Sequence, residues 1–226
     1  MNYQIIGDND CPLVEFRMDR GEGLLIERGS MAYMNGIELQ GKLNSRGGLL
    51  GAIGRSIAGG ESMFITNACA VQDGAVLGVA PAIPGEIKKL TVGSRQYRLN
   101  TGAFLACATS VNYNIVTQKL SHAFFGGTGG LFVMETIGQG DLLVNAFGSL
   151  ITLEVTPDHP ITVDNEQVVA WDASLDYRIE IASGMFGFMT GEGLVNRFSG
   201  SGEVIIQTRN LRSLADSLSK YIPKGN

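Results

Sequence analysis

The same pair of local patterns occurs three times along this chain, in the same order. Ser30-Met31-Ala32-Tyr33, Ser110-Val111-Asn112-Tyr113 and Ser174-Leu175-Asp176-Tyr177 share a Ser-x-x-Tyr element, while Gly60-Glu61, Gly140-Asp141 and Gly202-Glu203 share a glycine followed by an acid. Both landmarks move by 80 residues from the first copy to the second, and by 64 and 62 from the second to the third. Two independent landmarks keeping step indicate one supersecondary unit in three copies, each hiding apolar surface against the next. This predicts β-modules over 1–85, 86–157 and 158–226 within one compact unit.

Most of the chain reads as short strands. Runs such as Gly23 to Arg28, Ile37 to Lys42, Ala75 to Ala80, Phe104 to Ala108, Val111 to Val116, Asp141 to Ala146, Gln167 to Trp171, Gly184 to Met189 and Glu203 to Thr208 are β-branched, aromatic or alternating, with Gly, Pro, Asn or Asp between them. Asp73-Gly74 marks a hairpin, because glycine reaches positive φ at little steric cost. Many short strands with frequent turns point to sandwiches or barrels. The fold class expected is therefore all-β, as three tandem β-sandwich-like modules with pseudo-threefold symmetry.

Two segments break that pattern. From Gly47 to Gly60, Leu49, Leu50, Ile53 and Ile57 recur at helical spacing and predict a short Gly-rich helical turn. Leu211, Leu214, Leu218 and Ile222, after a candidate N-cap at Asn210 and before Pro223, predict an amphipathic C-terminal helix that docks onto a sheet or a neighbouring subunit.

Alternation through Val111, Tyr113 and Ile115, and through Leu175, Tyr177 and Ile179, predicts that the shared tyrosine packs on the core with its hydroxyl needing a partner. In the second landmark, the glycine and acid precede apolar runs and read as a turn entering a buried strand. Glu61, Asp141 and Glu203 then cap turn amides; the alternative is a ligand or ion site near the pseudo-threefold axis.

Composition narrows the function classes. The 226 residues carry a formal net charge of −5, which supplies no global attraction for nucleic acid or anionic lipid. The three cysteines, Cys11, Cys69 and Cys107, form no CxxC pair and read as reduced thiols of an intracellular protein. Met1 to Phe16 contains Asp8, Asp10 and Glu15 and lacks the form of a signal peptide. No apolar run reaches the roughly 20 residues that cross a bilayer, so the expected location is the cytoplasm.

Catalysis has few raw materials. The two histidines are His122, beside Phe124 and Phe125, and His159, in the turn-like Pro157-Asp158-His159-Pro160. No HxxxH, HExxH or HxH spacing appears, and no GxSxG elbow. Gly36 to Leu43 fits GxxxxGK, yet Leu43 replaces the Mg²⁺-binding hydroxyl residue and Glu38 sets negative charge where phosphate belongs. Gly126-Gly127-Thr128-Gly129-Gly130 reads as a turned loop, with Phe124, Phe125, Leu131 and Phe132 flanking it as core or as an apolar patch for a partner or membrane surface. Trp171, the single tryptophan, aligns with Cys107 and reads as core. We expect no catalytic residues, no cofactor and no metal. The contact residues singled out are Glu61, Asp141, Glu203, Phe124, Phe125 and Phe132.

The run Gly47-Gly48-Leu49-Leu50-Gly51-Ala52-Ile53-Gly54-Arg55-Ser56-Ile57-Ala58-Gly59-Gly60-Glu61-Ser62-Met63-Phe64 resembles the signature of the altered-inheritance-of-mitochondria 24-like family, with the likeness extending over essentially the whole chain. The resemblance implies three tandem modules like the subunit of the tryptophan RNA-binding attenuation protein, with three chains closing into a nine-module ring. It also implies, through fungal members connected with mitochondrial membrane organisation, a scaffold role near a membrane. It brings no catalytic constellation. RNA binding does not follow, because the charge that recurs at the landmarks here is acidic. The expectation is a homotrimeric, ring-forming, non-enzymatic scaffold or interaction protein with a protein or membrane-surface partner. The alternatives are a small-molecule or anion-binding ring with sites between modules and, third, an enzyme.

Overall fold

Alternation sets the first long strand. In Leu13–Met18 the side chains of Val14, Phe16 and Met18 are buried and those between them are not, the period-two signature of a strand with one face on a core. Val168–Asp172, by contrast, is buried at every position, as expected of a strand covered on both faces. The computed structural model describes residues 1–42, 65–100, 102–117, 132–181 and 194–222, and among these the chain is nearly all β. The helical turn expected over Gly47 to Gly60 and the strand expected over Gly184 to Met189 lie outside the described residues.

After β1 (Tyr3–Ile6) come β2 (Leu13–Met18), β3 (Gly23–Glu27), β4 (Met31–Asn35), β5 (Ile37–Lys42), β6 (Ile65–Ala70) and β7 (Ala75–Val79). Next are β8 (Ile87–Val92), β9 (Tyr97–Asn100), β10 (Phe104–Ala108), β11 (Val111–Thr117), β12 (Phe132–Gly138) and β13 (Gly140–Asn145). Then follow β14 (Leu150–Val155), β15 (Ile161–Asp164), β16 (Val168–Asp172), β17 (Asp176–Ile181), β18 (Leu194–Ser199) and β19 (Gly202–Gln207), and finally the helix α1 (Leu211–Ser219). Gly74 takes the positive φ expected of it, 66°, but the Asp73-Gly74 turn carries the chain from β6 in one sheet to β7 in another, so it is not the hairpin that the sequence suggested.

Four antiparallel sheets result, in the orders β1-β2-β7-β4, β5-β6-β3-β10-β13-β8, β11-β12-β9-β16-β19-β14 and β15-β18-β17. Adding six to every label of the second sheet yields the third. The register repeats in detail: against their inner neighbours, β4, β10 and β16 each carry one irregularity, between Met31 and Tyr33, Phe104 and Ala106, and Val168 and Ala170. Where β3 meets β10, Ile26 faces Ala106; where β9 meets β16, Leu99 faces Ala170.

Three apolar clusters lie between successive sheets. Val14, Phe16 and Leu77 of the first sheet pack with Leu24, Ile26, Ala106 and Leu143 of the second. Leu25, Leu90, Cys107 and Leu142 of the second pack with Tyr97, Leu99, Ala170 and Ile205 of the third. Trp171 and Val204 of the third pack with Val163 and Phe198 of the fourth. The sheets are therefore stacked in chain order. Trp171 is core, as its sequence context implied, with Tyr177 and Phe198 at ring-centroid distances of 5.2 and 5.6 Å. Burying side chains of this size is worth roughly 1.5–3 kcal/mol each.

The first Ser-x-x-Tyr copy does not stand where the other two do. Tyr113 on β11 runs along β12 and Tyr177 on β17 runs along β18, but Tyr33 on β4 runs along β7. The strand paired as β11 and β17 are is β5. Tyr33 is also exposed rather than core, with its hydroxyl donating to a Glu15 carboxylate oxygen at 2.7 Å. Tyr113 is half-buried and its hydroxyl has no hydrogen-bond partner; burial pushes its pKa up to about 12. Gly140 and Gly202 open β13 and β19, whose counterpart by pairing is β7, whereas Gly60-Glu61 precedes β6 and lies outside the described residues. A match of two identities in four residues is weaker evidence than a ladder. The register irregularities of β4 and β10, at Met31 and Phe104, stand 73 residues apart, where the two Ser-x-x-Tyr landmarks stand 80 apart.

The helix forms where the cap residue predicted it: the Asn210 side-chain oxygen accepts from the Ser213 backbone N–H at 2.7 Å. Within the single chain, however, none of its residues is buried, and Leu211, Leu214 and Leu218 are exposed.

Candidate functional site

The expected acids do not converge. Glu61, Phe124 and Phe125 lie outside the described residues, and Phe132 opens β12. Asp141, on β13 in the second sheet, has Lys89 Nζ at 3.8 Å and the amino group of Met1 at 3.7 Å. Glu203, on β19 in the third sheet, holds Arg95 at 2.8 Å. Each acid is matched by its own cation. Among the described residues, no group of three or more His, Cys, Asp or Glu is placed to hold a metal ion.

A richer arrangement surrounds Glu203. Asp172 ends β16 opposite Tyr97 of β9 and is buried. Its Oδ2 accepts from the Glu203 backbone N–H at 2.8 Å, and Arg95 Nε lies 3.2 Å from Oδ1, an ion-pair contact without hydrogen-bond alignment. Burial holds the Asp172 carboxyl above its ordinary range, which the backbone hydrogen bond and Arg95 offset only in part. Arg95 sits in the β8–β9 turn, so one side chain ties that turn to β16 and β19. The cluster lines an open cleft of about 990 Å³, with Thr152, Glu154, Thr156 and Ser174 on its other walls. Glu154 and Glu203 stand directly opposite across β14 and β19, an unfavourable like-charge pair unless a cation intervenes. Of the two, Glu203 has Arg95 as its partner at 2.8 Å.

This geometry crosslinks: Arg95 is matched by two carboxylates, with the hydroxyl residues Thr152, Thr156 and Ser174 along the same cleft. The Thr156 hydroxyl lies 3.2 Å from His159 Nδ1, but in an exposed tight turn closed by the His159 N–H to the Thr156 carbonyl. Cys107 is buried, and burial pushes its thiol up to about 12, far from a reactive thiolate.

The clearest anomaly is an edge. All five residues of β4 are exposed, and Met31, Tyr33 and Met34 are 38, 41 and 45% exposed. At the far end of the stack, β15 and β17 are the two edges of the fourth sheet among the described residues. Among the described residues, no helix is long and apolar enough to cross a membrane.

A family model described as "Mitochondrial biogenesis AIM24" matches residues 3–209. The chain belongs to this AIM24 family. An uncharacterised protein of Streptococcus pyogenes serotype M6 is 46% identical over 231 residues, spanning 99% of this chain and 92% of that one. The X-ray crystal structure of a Streptococcus pyogenes protein, 42% identical, matches with a TM-score of 0.81 over 98% of this chain and 99% of the other. The AIM24 match runs from the start of β1 to the residue before the α1 cap, so it spans every described strand and leaves the helix out.

For this AIM24 chain, sequence reasoning missed Asp172, Arg95 and β4. Asp172 closes a run of four apolar residues, Val168-Val169-Ala170-Trp171, and an acid ending such a run was a legible sign of a buried partner. The sign at β4 was Met31-Ala32-Tyr33-Met34, apolar on both faces of a strand and free of charge.

Proposed function

We propose that this AIM24 protein is a non-enzymatic scaffold or interaction protein whose working form is a closed homotrimeric ring in the cytoplasm, presented to a protein partner or a membrane surface. The observation that carries the ring is the arithmetic of the sheets. Counting from β2, each run of six strands supplies two halves of three: strands one, six and three, then strands two, five and four. The second half of one run joins the first half of the next to complete a six-stranded sheet, twice within the chain. A first half, extended by β1, is left at one end, and a second half at the other. Two loose halves of one sheet on one chain are what a head-to-tail contact joins, and such a contact repeated through a rotation closes into a ring.

In this reading the units run over 13–79, 87–145 and 150–207, related by steps of about 73 and 64 residues, and the second boundary falls in the turn before Leu150 rather than near residue 157. Three copies, and the nearness to a membrane, rest on the family resemblance. The non-enzymatic reading is supported by the neutralised Arg95 cluster and the buried thiol of Cys107. Native mass measurement at micromolar concentration tests the assembly. About three times the 24.1 kDa chain is expected, and a stable single-chain mass overturns it.

One observation favours a second reading, a ring that binds small polar molecules between units: the Arg95 cleft lies where two runs meet and is lined by hydroxyls and carboxylates. A thermal-shift screen of metabolites separates the two, because a ligand that binds only the native form raises apparent stability. A hit abolished by Arg95→Ala supports the binding ring, and a screen without such a hit leaves the scaffold.

A further inference from the structure

We propose that the open edge β15 of one copy adds to the open edge β4 of the next, antiparallel, with Val163 opposite Tyr33, Thr162 opposite Met34 and Ile161 opposite Asn35. This deepens the ring reading and rests on it, since it names the two surfaces and their alignment.

The alignment follows from the two junctions inside the chain. Both use strand two of one run and strand three of the next. At the first, Leu24, Leu25 and Ile26 face Ala108, Cys107 and Ala106; at the second, Tyr97, Arg98 and Leu99 face Asp172, Trp171 and Ala170. The irregularity shared by β4, β10 and β16 places the strands in register with one another. Against their inner neighbours, Met31, Phe104 and Val168 are equivalent, as are Tyr33, Ala106 and Ala170, and Met34, Cys107 and Trp171. On the other side, Leu99 and Val163 precede their next strands by the same number of residues, and both belong to clusters between successive sheets. The third junction is then fixed to the residue.

Burial agrees with this assignment. Ala106 and Ala170 are 0% exposed and Cys107 and Trp171 are 1% exposed, whereas Tyr33 and Met34, in the same positions, are 41 and 45% exposed. The difference lies in the neighbour: among the described residues, β10 and β16 have a strand on each side, and β4 has one only on the side of β7. Natural proteins blunt open edges with lysine, proline or inward charge, yet β4 reads Met-Ala-Tyr-Met-Asn, and in β15, Ile-Thr-Val-Asp after Pro160, the one charge is Asp164 at its end, whose carboxylate accepts from the Glu166 backbone N–H. The chain cannot close on itself, because two sheets lie between the first and the fourth, and stacked sheets are about 10 Å apart.

The edge is also preshaped. Gly78 sits opposite Tyr33, and a Cβ there would collide with the Tyr33 ring, so the ring lies flat over the glycine while Glu15 holds its hydroxyl. The equivalent pairs inside the chain are Ala106 with Leu143 and Ala170 with Ile205, small against large in the opposite sense. An ordered tyrosine on an otherwise open edge is ready to receive Val163 without further freezing of its rotamer.

Paired cysteines test the register, in a Cys11→Ser background because Cys11 is the exposed native thiol. Thr162→Cys with Met34→Cys places two thiols opposite each other on one face, and mild oxidation is expected to join chains into a ladder that stops at the ring size. Thr162→Cys with Tyr33→Cys puts them on opposite faces and is expected to crosslink at least tenfold less. Met34→Lys is expected to reduce the native mass to that of one chain with an unchanged β circular-dichroism spectrum, and Met34→Leu to preserve the assembly. If the wild type is multimeric but the matched pair crosslinks no better than the control and Met34→Lys stays assembled, these edges are not the contact and the ring forms elsewhere. If the wild type is a single chain, the ring reading falls and this one with it.

Discussion

β16 and β4 hold the same place in their runs, third of six, and share the same irregularity against their inner neighbour, yet one is buried at all five positions and the other is exposed at all five. Hydrophobicity does not separate them, since Met31, Tyr33 and Met34 are as apolar as much of the core. Neighbours do. β16 lies between β19 and β9 with sheets on both faces, while β4 has β7 alone beside it. The burial of a strand is thus a property of what the chain places next to it, and β4 is an apolar strand beside which the described residues place only β7.

The comparison breaks most directly at one pair of matching positions, Trp171 of β16 and Met34 of β4. Trp171→Ala empties the site between Tyr177 and Phe198 and should cost about 3–5 kcal/mol, read as a lower urea midpoint. Met34→Ala, its equivalent in β4, should cost about 0.5 kcal/mol or less at dilutions where single chains dominate, because an exposed side chain has little burial to lose. At concentrations where the protein assembles, the Met34→Ala penalty should grow. A penalty that ignores concentration would mean that β4 stays uncovered in every form.

How much of this was legible follows the same division. The β class, the positive-φ turn at Asp73-Gly74, the cap at Asn210 and the buried Trp171 depend on neighbours close in sequence or on strong apolar runs, and each could be read from the chain, whereas the hairpin expected at that turn could not, because β6 and β7 find their partners in different sheets. The offset between runs could not be read from Ser30 and Tyr33, because four-residue landmarks carry no pairing information, and register is set by ladders between distant strands. Asp172 and Arg95 are separated by 77 positions and meet only because β9 runs beside β16. Met34 and Trp171 differ as residues, and nothing local declares them equivalent.

A smaller effect sharpens the comparison at the polar end of β16. Burial raises the Asp172 pKa, so the native state takes up its proton more readily than the unfolded chain. Between the ordinary carboxyl value of 3.8 and that raised value the native state binds more protons, and stability from this group is therefore lost as pH rises through the window. Asp172→Asn should flatten the pH dependence of the urea midpoint there, while Asn35→Asp at the end of β4, exposed in the single chain, should leave it unchanged. An unaltered slope in Asp172→Asn would show that the carboxyl is as well solvated as one on the open edge.

The smallest expected effect concerns α1, which shares with β4 an apolar surface left exposed among the described residues. Asn210→Ala removes the side-chain acceptor for the Ser213 N–H and should cost about 1 kcal/mol of helix stability. Because no residue of α1 is buried, that loss should stay local: helical circular dichroism falls while the cooperative unfolding of the sheets keeps its midpoint. A midpoint that drops with the helix would mean that α1 packs on something the isolated chain lacks. If that drop also fades on dilution, the covering surface belongs to another copy, and α1 joins β4 as a second place where one chain is incomplete.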